Sequence, residues 1–164
     1  MSSPHEEIKL AVAEDLARNE EIRNYCIEHF KATPLVIVNR YGAEGFPGED
    51  EAPFIFIYSD GENESGDVDE ETFDFCIVFG VVDPSKSPRT KVLMKRTADS
   101  SGLVVSGMAA EVEHVREMIL RMVEDSVHGA IFRSAARTES NMSDYPLEWA
   151  KLRVSYAEPD TLDR

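Results

Sequence analysis

The chain has 164 residues, 42% of them hydrophobic and 9% aromatic, which fits one folded domain able to bury its own core and excludes a disordered chain. Its formal net charge is −15, and the excess lies in residues 1–83, with 20 acids against 5 Lys/Arg; residues 84–164 hold 12 of each. Such a surface repels a phosphate backbone, so nucleic-acid binding is disfavoured as a main activity, and no apolar run reaches the roughly 18–20 residues of a membrane span.

The opening MSSPHEEIKL is polar and acidic and does not read as a secretory signal. Residues 4–31 read as helical, with Ser3-Pro4 opening the helix and Glu6 and Glu7 in its first turn. Ile8, Val12 and Leu16 recur on one face, and Ile22, Cys26, Ile27 and Phe30 form a second set. The polar RNEE between them predicts a break or kink. Thr33-Pro34 ends the helix, because the residue before proline avoids the α region. LVIVNRY (35–41) reads as a short strand, GAEGFPGEDEAP as a loop, and PFIFIYS (53–59) as a central strand apolar on both faces. TFDFCIVFGVV (72–82) alternates, with Phe73, Phe75, Ile77, Phe79 and Val81 sharing one face. Between these strands lies DGENESGDVDEE (60–71), seven acids in twelve residues, most simply a long hairpin connection.

DPSKSPR breaks the pattern. KVLMKRT and GLVVSG then predict a second hairpin or an arm within 84–107, with Lys86, Arg89, Lys91, Lys95 and Arg96 as its basic residues. A helix begins at Met108, with Val112, Val115, Ile119, Met122 and Val123 as its apolar stripe. Glu117 and Arg121 stand at i, i+4 on its polar side, and Gly129 is a candidate C-cap. AIFRSAART (130–138) and LEWAKLRVSYA (147–157) are predicted strands; the second puts Ala150, Leu152, Val154 and Tyr156 on one face. The tail 158–164 is expected to fray. The whole predicts one α+β domain spanning 1–164: a mainly antiparallel sheet packed by an N-terminal helical segment and one later helix, with a possible hairpin arm.

No motif compels a reaction. An EF-hand count from Asp60 places Asp60, Glu62, Glu64 and Glu71 at ligand positions, but position six is Ser65 and the flanks read as strands. The histidines, His5, His29, His114 and His128, show no metal-ligand spacing and read as surface or cap residues. GLVVSG lacks the spacing of a hydrolase elbow, and no phosphate-binding glycine motif occurs. Cys26 and Cys76 have no CxxC context. A disulfide framework or structural zinc is therefore not expected, and a reducing compartment fits best. No catalytic residue, cofactor or metal is expected. The basic stretch is either an ordinary amphipathic hairpin or an arm that docks on the acidic half of another copy.

Three features resemble the tail-terminator (tail-completion) proteins of long-tailed bacteriophages, the lambda-type minor tail proteins. APFIFIYSDG is similar to that family's second strand. TFDFCIVFGVV, entered from an acidic turn, is similar to its long third strand. EVEHVREMILRMVEDSV, AIFRSAART and WAKLRVSYAEP are similar to its closing helix–strand–strand. Together with the N-terminal helix these cover roughly two-thirds of the chain; residues 84–107 depart from the pattern in being longer and more basic. The resemblance implies a non-enzymatic assembly protein. It would form a ring, usually a hexamer, that caps the tail tube, joins it to the head and passes DNA through its lumen. Its partners would be other copies, tail-tube and head-completion proteins, and its place the cytoplasm during assembly and then the virion or a prophage-encoded particle. Neither membrane nor specific nucleic-acid binding is implied. Asp60, Glu62, Glu64, Asp67, Asp69, Glu70 and Glu71 would then face the lumen or the adjoining ring. Two rival readings come from other classes: an acidic intracellular adaptor or inhibitor that engages a basic protein through 60–71, and a metal-dependent hydrolase built on carboxylates without a recognised motif.

Overall fold

The computed structural model describes residues 4–40, 45–59, 72–82, 91–96, 101–106, 108–125, 131–138 and 147–157. The chain opens with two helices, α1 (Pro4–Arg18) and α2 (Glu20–Phe30). The break expected at RNEE falls on Asn19, whose side-chain oxygen accepts a hydrogen bond from the Ile22 amide at 2.9 Å and so starts a new helix. Lys31 stops it in the left-handed region (φ 68°), its amide donating to the Ile27 carbonyl. Ile8, Val12 and Leu16 from α1, and Ile22 and Cys26 from α2, are buried as the periodicity requires.

Five strands form the main sheet in the order β1-β2-β3-β7-β6: β1 (Leu35–Val38), β2 (Phe54–Tyr58), β3 (Thr72–Val82), β6 (Ile131–Thr138) and β7 (Leu147–Ala157). The fold is α+β, and every pairing is antiparallel except β1 with β2. That parallel pair follows from the segment between them, which carries the chain back to the starting end of β1 through a short 3-10 turn, Glu49–Glu51. The first strand is shorter than its sequence suggests because Asn39 takes φ 59° and turns the chain away. The bounds of β3 and β7 coincide with the alternating runs read from sequence.

The sheet has a core on each face. On one face α1, α2 and α3 (Met108–Asp125) cover Ile55, Ile57, Phe75, Ile77, Phe79, Leu152 and Val154. The α3 stripe contains Val112, Val115, Ile119 and Val123 as expected. Met118 is buried with them, while Met122 is only partly covered. On the opposite face, hereafter the far face, Phe54, Phe56, Val78 and Leu147 form a smaller cluster. Gly80 lies on this face: a Cβ there would lie 2.3 Å from the Phe54 ring, so the aromatic ring occupies the space any larger residue would need. β4 (Lys91–Arg96) and β5 (Ser101–Ser106) pair in a separate two-stranded antiparallel sheet and do not extend the main sheet.

Candidate functional site

The acidic residues Asp60, Glu62, Glu64, Asp67, Asp69, Glu70 and Glu71 lie outside the described residues, as do Lys86, Arg89, His128, Gly129 and the tail 158–164. Their attachment points are described. β2 ends at Tyr58, opposite Cys76, so β3 runs on past it to Thr72. The N-terminal turns of α1 pack against this projection. His5 Nε2 donates to the Asp74 carbonyl at 2.9 Å, and its ring lies 6.0 Å from Phe73 and 6.4 Å from Phe75. Lys9, whose side chain is 0% exposed, donates to Ser59 Oγ at 2.9 Å and pairs with Glu6 at 2.7 Å. Asn39 donates to the other Glu6 oxygen. The Lys9 hydrogen bond holds the Glu6 carboxyl below its ordinary range. On the far side of β3, Ser155 Oγ donates to Asp74 Oδ1 at 2.6 Å, and Arg153 approaches that carboxylate at 3.8 Å.

A serine beside a lysine and a histidine invites comparison with a nucleophilic dyad. The geometry gives the group another role. Lys9 lies between Glu6 and Ser59, and its contacts tie α1 to the end of β2. The cluster fixes both roots of the 60–71 connection to one helix. The sequence reading of His5 as a surface or cap residue is corrected: its ring bridges α1 and β3, and its partner is 69 residues away. His29 and His114 instead flank Tyr25, with ring centroids at 4.1 and 4.7 Å, and so join α2 to α3. Burial foremost raises the Tyr25 hydroxyl to about 12.

The Glu117–Arg121 pair expected along α3 is also corrected. Glu117 receives Arg137 from β6, and Arg121 reaches Glu21 of α2 at 3.4 Å. Partners on neighbouring elements win over the local pair, which is worth only a few tenths of a kcal/mol. Arg121 and Glu21 rim a cleft of about 530 Å³ shared by the α1–α2 junction and α3, with Asp15, Arg18, Met118 and Met122 also in its wall. Cys26 and Cys76 are both buried thiols, and burial pushes that of Cys26 up to about 12.

The far face is the second candidate surface. A strap formed by residues 45–52 lies over it and is clasped at both ends. Arg40 donates two parallel hydrogen bonds to Glu51, at 2.6 and 2.7 Å, and a third to the Gly45 carbonyl at 3.3 Å. Glu51 also accepts from the Gly48 amide. The Arg40 guanidinium, followed by that amide, lowers the Glu51 carboxyl to about 2. Phe46 hangs from the strap, edge-on to Phe54 and Phe56 and 5.6 Å from Trp149, yet remains 43% exposed. Tyr58 stacks on Phe56, with Lys151 Nζ 5.6 Å from the Tyr58 ring centroid. An aromatic patch edged by Lys151 and Arg153 results. The sequence named these residues only as strand and loop members, because the strap's return over the sheet is a long-range choice.

Among the described residues no group of three or more His, Cys, Asp and Glu side chains is gathered closely enough to hold a metal ion, and no helix is long and apolar enough to cross a membrane. No protein-family model matches the chain, and no curated protein matches it.

Proposed function

We propose that this protein is a non-enzymatic assembly subunit of phage-tail type, which joins other copies of itself in a ring that closes a tail tube and presents a surface to the head. The observation that carries the reading is the separate basic ribbon. Lys91, Lys95 and Arg96 sit on β4, and β4 pairs only with β5 among the described strands. A two-stranded ribbon outside the main sheet is marginal in water and gains stability by docking on another surface. The remainder of the chain is strongly acidic, so a second copy offers the complementary charge. A contact between unlike surfaces repeats head to tail and closes where its rotation allows. In such a ring the 60–71 stretch would line the lumen or face the adjoining ring, where negative charge lets DNA pass without adhering.

Light scattering over a range of concentrations, alone and with candidate tube proteins, tests this reading. A closed species of several chains, visible as a ring by electron microscopy, is expected. A strict monomer under every condition would overturn it, and a salt-sensitive complex with one basic partner molecule would instead identify an acidic adaptor.

A further inference from the structure

The assembly reading leaves open which part of a neighbour receives the ribbon, and the two edges of the main sheet differ in what they offer. β6 forms one edge. It carries Arg133 and, paired with Glu117 of α3, Arg137, and its ladder is interrupted between Phe132 and Ser134. Charge and a bulge of this kind keep further strands away, a basic one above all. β1 forms the other edge, and its four residues, Leu35–Val38, bear no charge. The amides of Leu35 and Asn39 donate inward, to the Pro53 and Ile57 carbonyls. Backbone groups alternate in direction along a strand, so those of Val36 and Val38 point out of the sheet. Among the described residues β1 pairs with β2 alone, and Leu35 is 50% exposed.

The surroundings of this edge are acidic on balance. Just past the strand, Asn39 donates to Glu6 of α1 and Arg40 pairs with Glu51 of the strap. Exposed Glu7 adjoins the first carboxylate, and exposed Glu49 and Asp50 adjoin the second. Lys9 and Arg40 are engaged with Glu6 and Glu51, and Lys31 precedes the strand, so five carboxylates stand against three cations there. β4 is a strand of the opposite kind. It has Lys91, Lys95 and Arg96 in six residues, and neither it nor β5 holds an acid. Among the described strands β4 pairs with β5 alone, so one of its edges is open too. The ribbon leads into α3, which packs on β7, β3 and β6, whereas β1 lies against α1 at the opposite edge from β6.

Resting on the assembly reading, we infer that β4 of one copy adds to the open edge of β1 in the next, so that the ribbon extends its neighbour's sheet from five strands to seven. The outward amides and carbonyls of Val36 and Val38 supply main-chain hydrogen bonds, and the carboxylates beside the edge receive the cations of β4. The donor strand and the acceptor edge are different parts of the chain, so each copy keeps one of each for its other neighbour. The contact is heterologous and self-propagating.

Two variants test it, each spoiling one partner. Val36→Pro removes an outward amide of β1 and takes none from the β1–β2 ladder. Lys91→Glu/Lys95→Glu/Arg96→Glu reverses the charge of β4. Both are first checked by circular dichroism and thermal unfolding; should the first unfold, Leu35→Lys takes its place, and should the second, Lys95→Glu alone does. Their masses, singly and mixed, are compared with wild type by native mass spectrometry. Wild type is expected to assemble, each variant alone to stay monomeric, and the mixture to stop at two chains, since only one intact β4–β1 contact then forms. Wild-type assembly with either variant unaffected overturns this contact and leaves the assembly reading standing. Loss of assembly in both variants with no pair in the mixture shows that the two strands do not meet each other and also overturns it. A monomeric wild type under all conditions overturns the contact and the reading together.

Discussion

Gly80 is where one missing carbon decides how the far face packs. The Phe54 ring occupies the position of its absent Cβ, and that ring is fully buried and cannot swing into solvent. Gly80→Ala should therefore destabilise the protein by roughly 1–3 kcal/mol, measured by denaturant unfolding with an unchanged m-value. At the end of the same sheet, Tyr156 donates to the Val123 carbonyl at 3.0 Å in the last turn of α3 and stacks on Phe75. Tyr156→Phe keeps the stack and loses the hydrogen bond, at a cost of about 1 kcal/mol. The Lys9 cluster predicts an asymmetry. Lys9→Met leaves Glu6 with 36% of its side chain in water, whereas Glu6→Ala leaves a fully buried ammonium without its carboxylate. Glu6→Ala should be the worse variant by about 2 kcal/mol, and equal thermal shifts would contradict the ion-pair account. None of these three sites was legible as such in sequence. Lys9 and Ser59 are 50 residues apart, and side-chain pairing at that distance has no periodic trace.

Among the elements, the strap carries a carboxyl far below its ordinary range and so responds to pH. The folded Glu51 carboxyl stands at about 2 against an ordinary value of 4.5, so folding and ionisation support each other. The clasp's contribution is complete above about 4.5 and is lost as pH falls through about 2. Trp149, the only tryptophan, lies against Phe46 and reports the strap directly. Acidification through that window should shift its emission, and Arg40→Met should remove the shift while leaving far-ultraviolet dichroism at neutral pH unchanged. Emission that is indifferent to Arg40 would mean the strap is held by its aromatic contacts alone. The elements themselves were more legible than their partners. β3 and β7 announce themselves as long runs rich in aromatic and β-branched residues, and the helix break at Asn19 by local capping chemistry. The parallel β1–β2 pairing and the strap's return over Trp149 were hidden, because both depend on which distant surface is left to cover.

At the scale of the whole molecule the sheet separates an acidic helical layer from an aromatic face whose border carries both signs, Lys151 and Arg153 beside Asp74 and the strap's Glu49, Asp50 and Glu51. In the proposed assembly the basic ribbon meets an acidic surface of another copy, and a contact between unlike charges responds to salt. Shortening the Debye length from about 10 Å to about 3 Å should slow association and weaken it without abolishing it. Association that sedimentation shows to be indifferent to ionic strength would contradict that contact. Charge imbalance was evident from composition; the pairing of Arg137 with Glu117 across β6 and α3 was not, since it depends on where β6 returns.

The β3–β7 ladder has a consequence for how the protein is made. Phe73 pairs with Tyr156 and Val82 with Leu147, so the middle of the sheet joins residues far apart in the chain. On the ribosome, the helices and the first three strands emerge with the oily side of β3 still lacking its neighbour. Nascent chains halted before residue 147 should be degraded or held by chaperones, and release of the final strand should mark the moment at which they become protease-resistant.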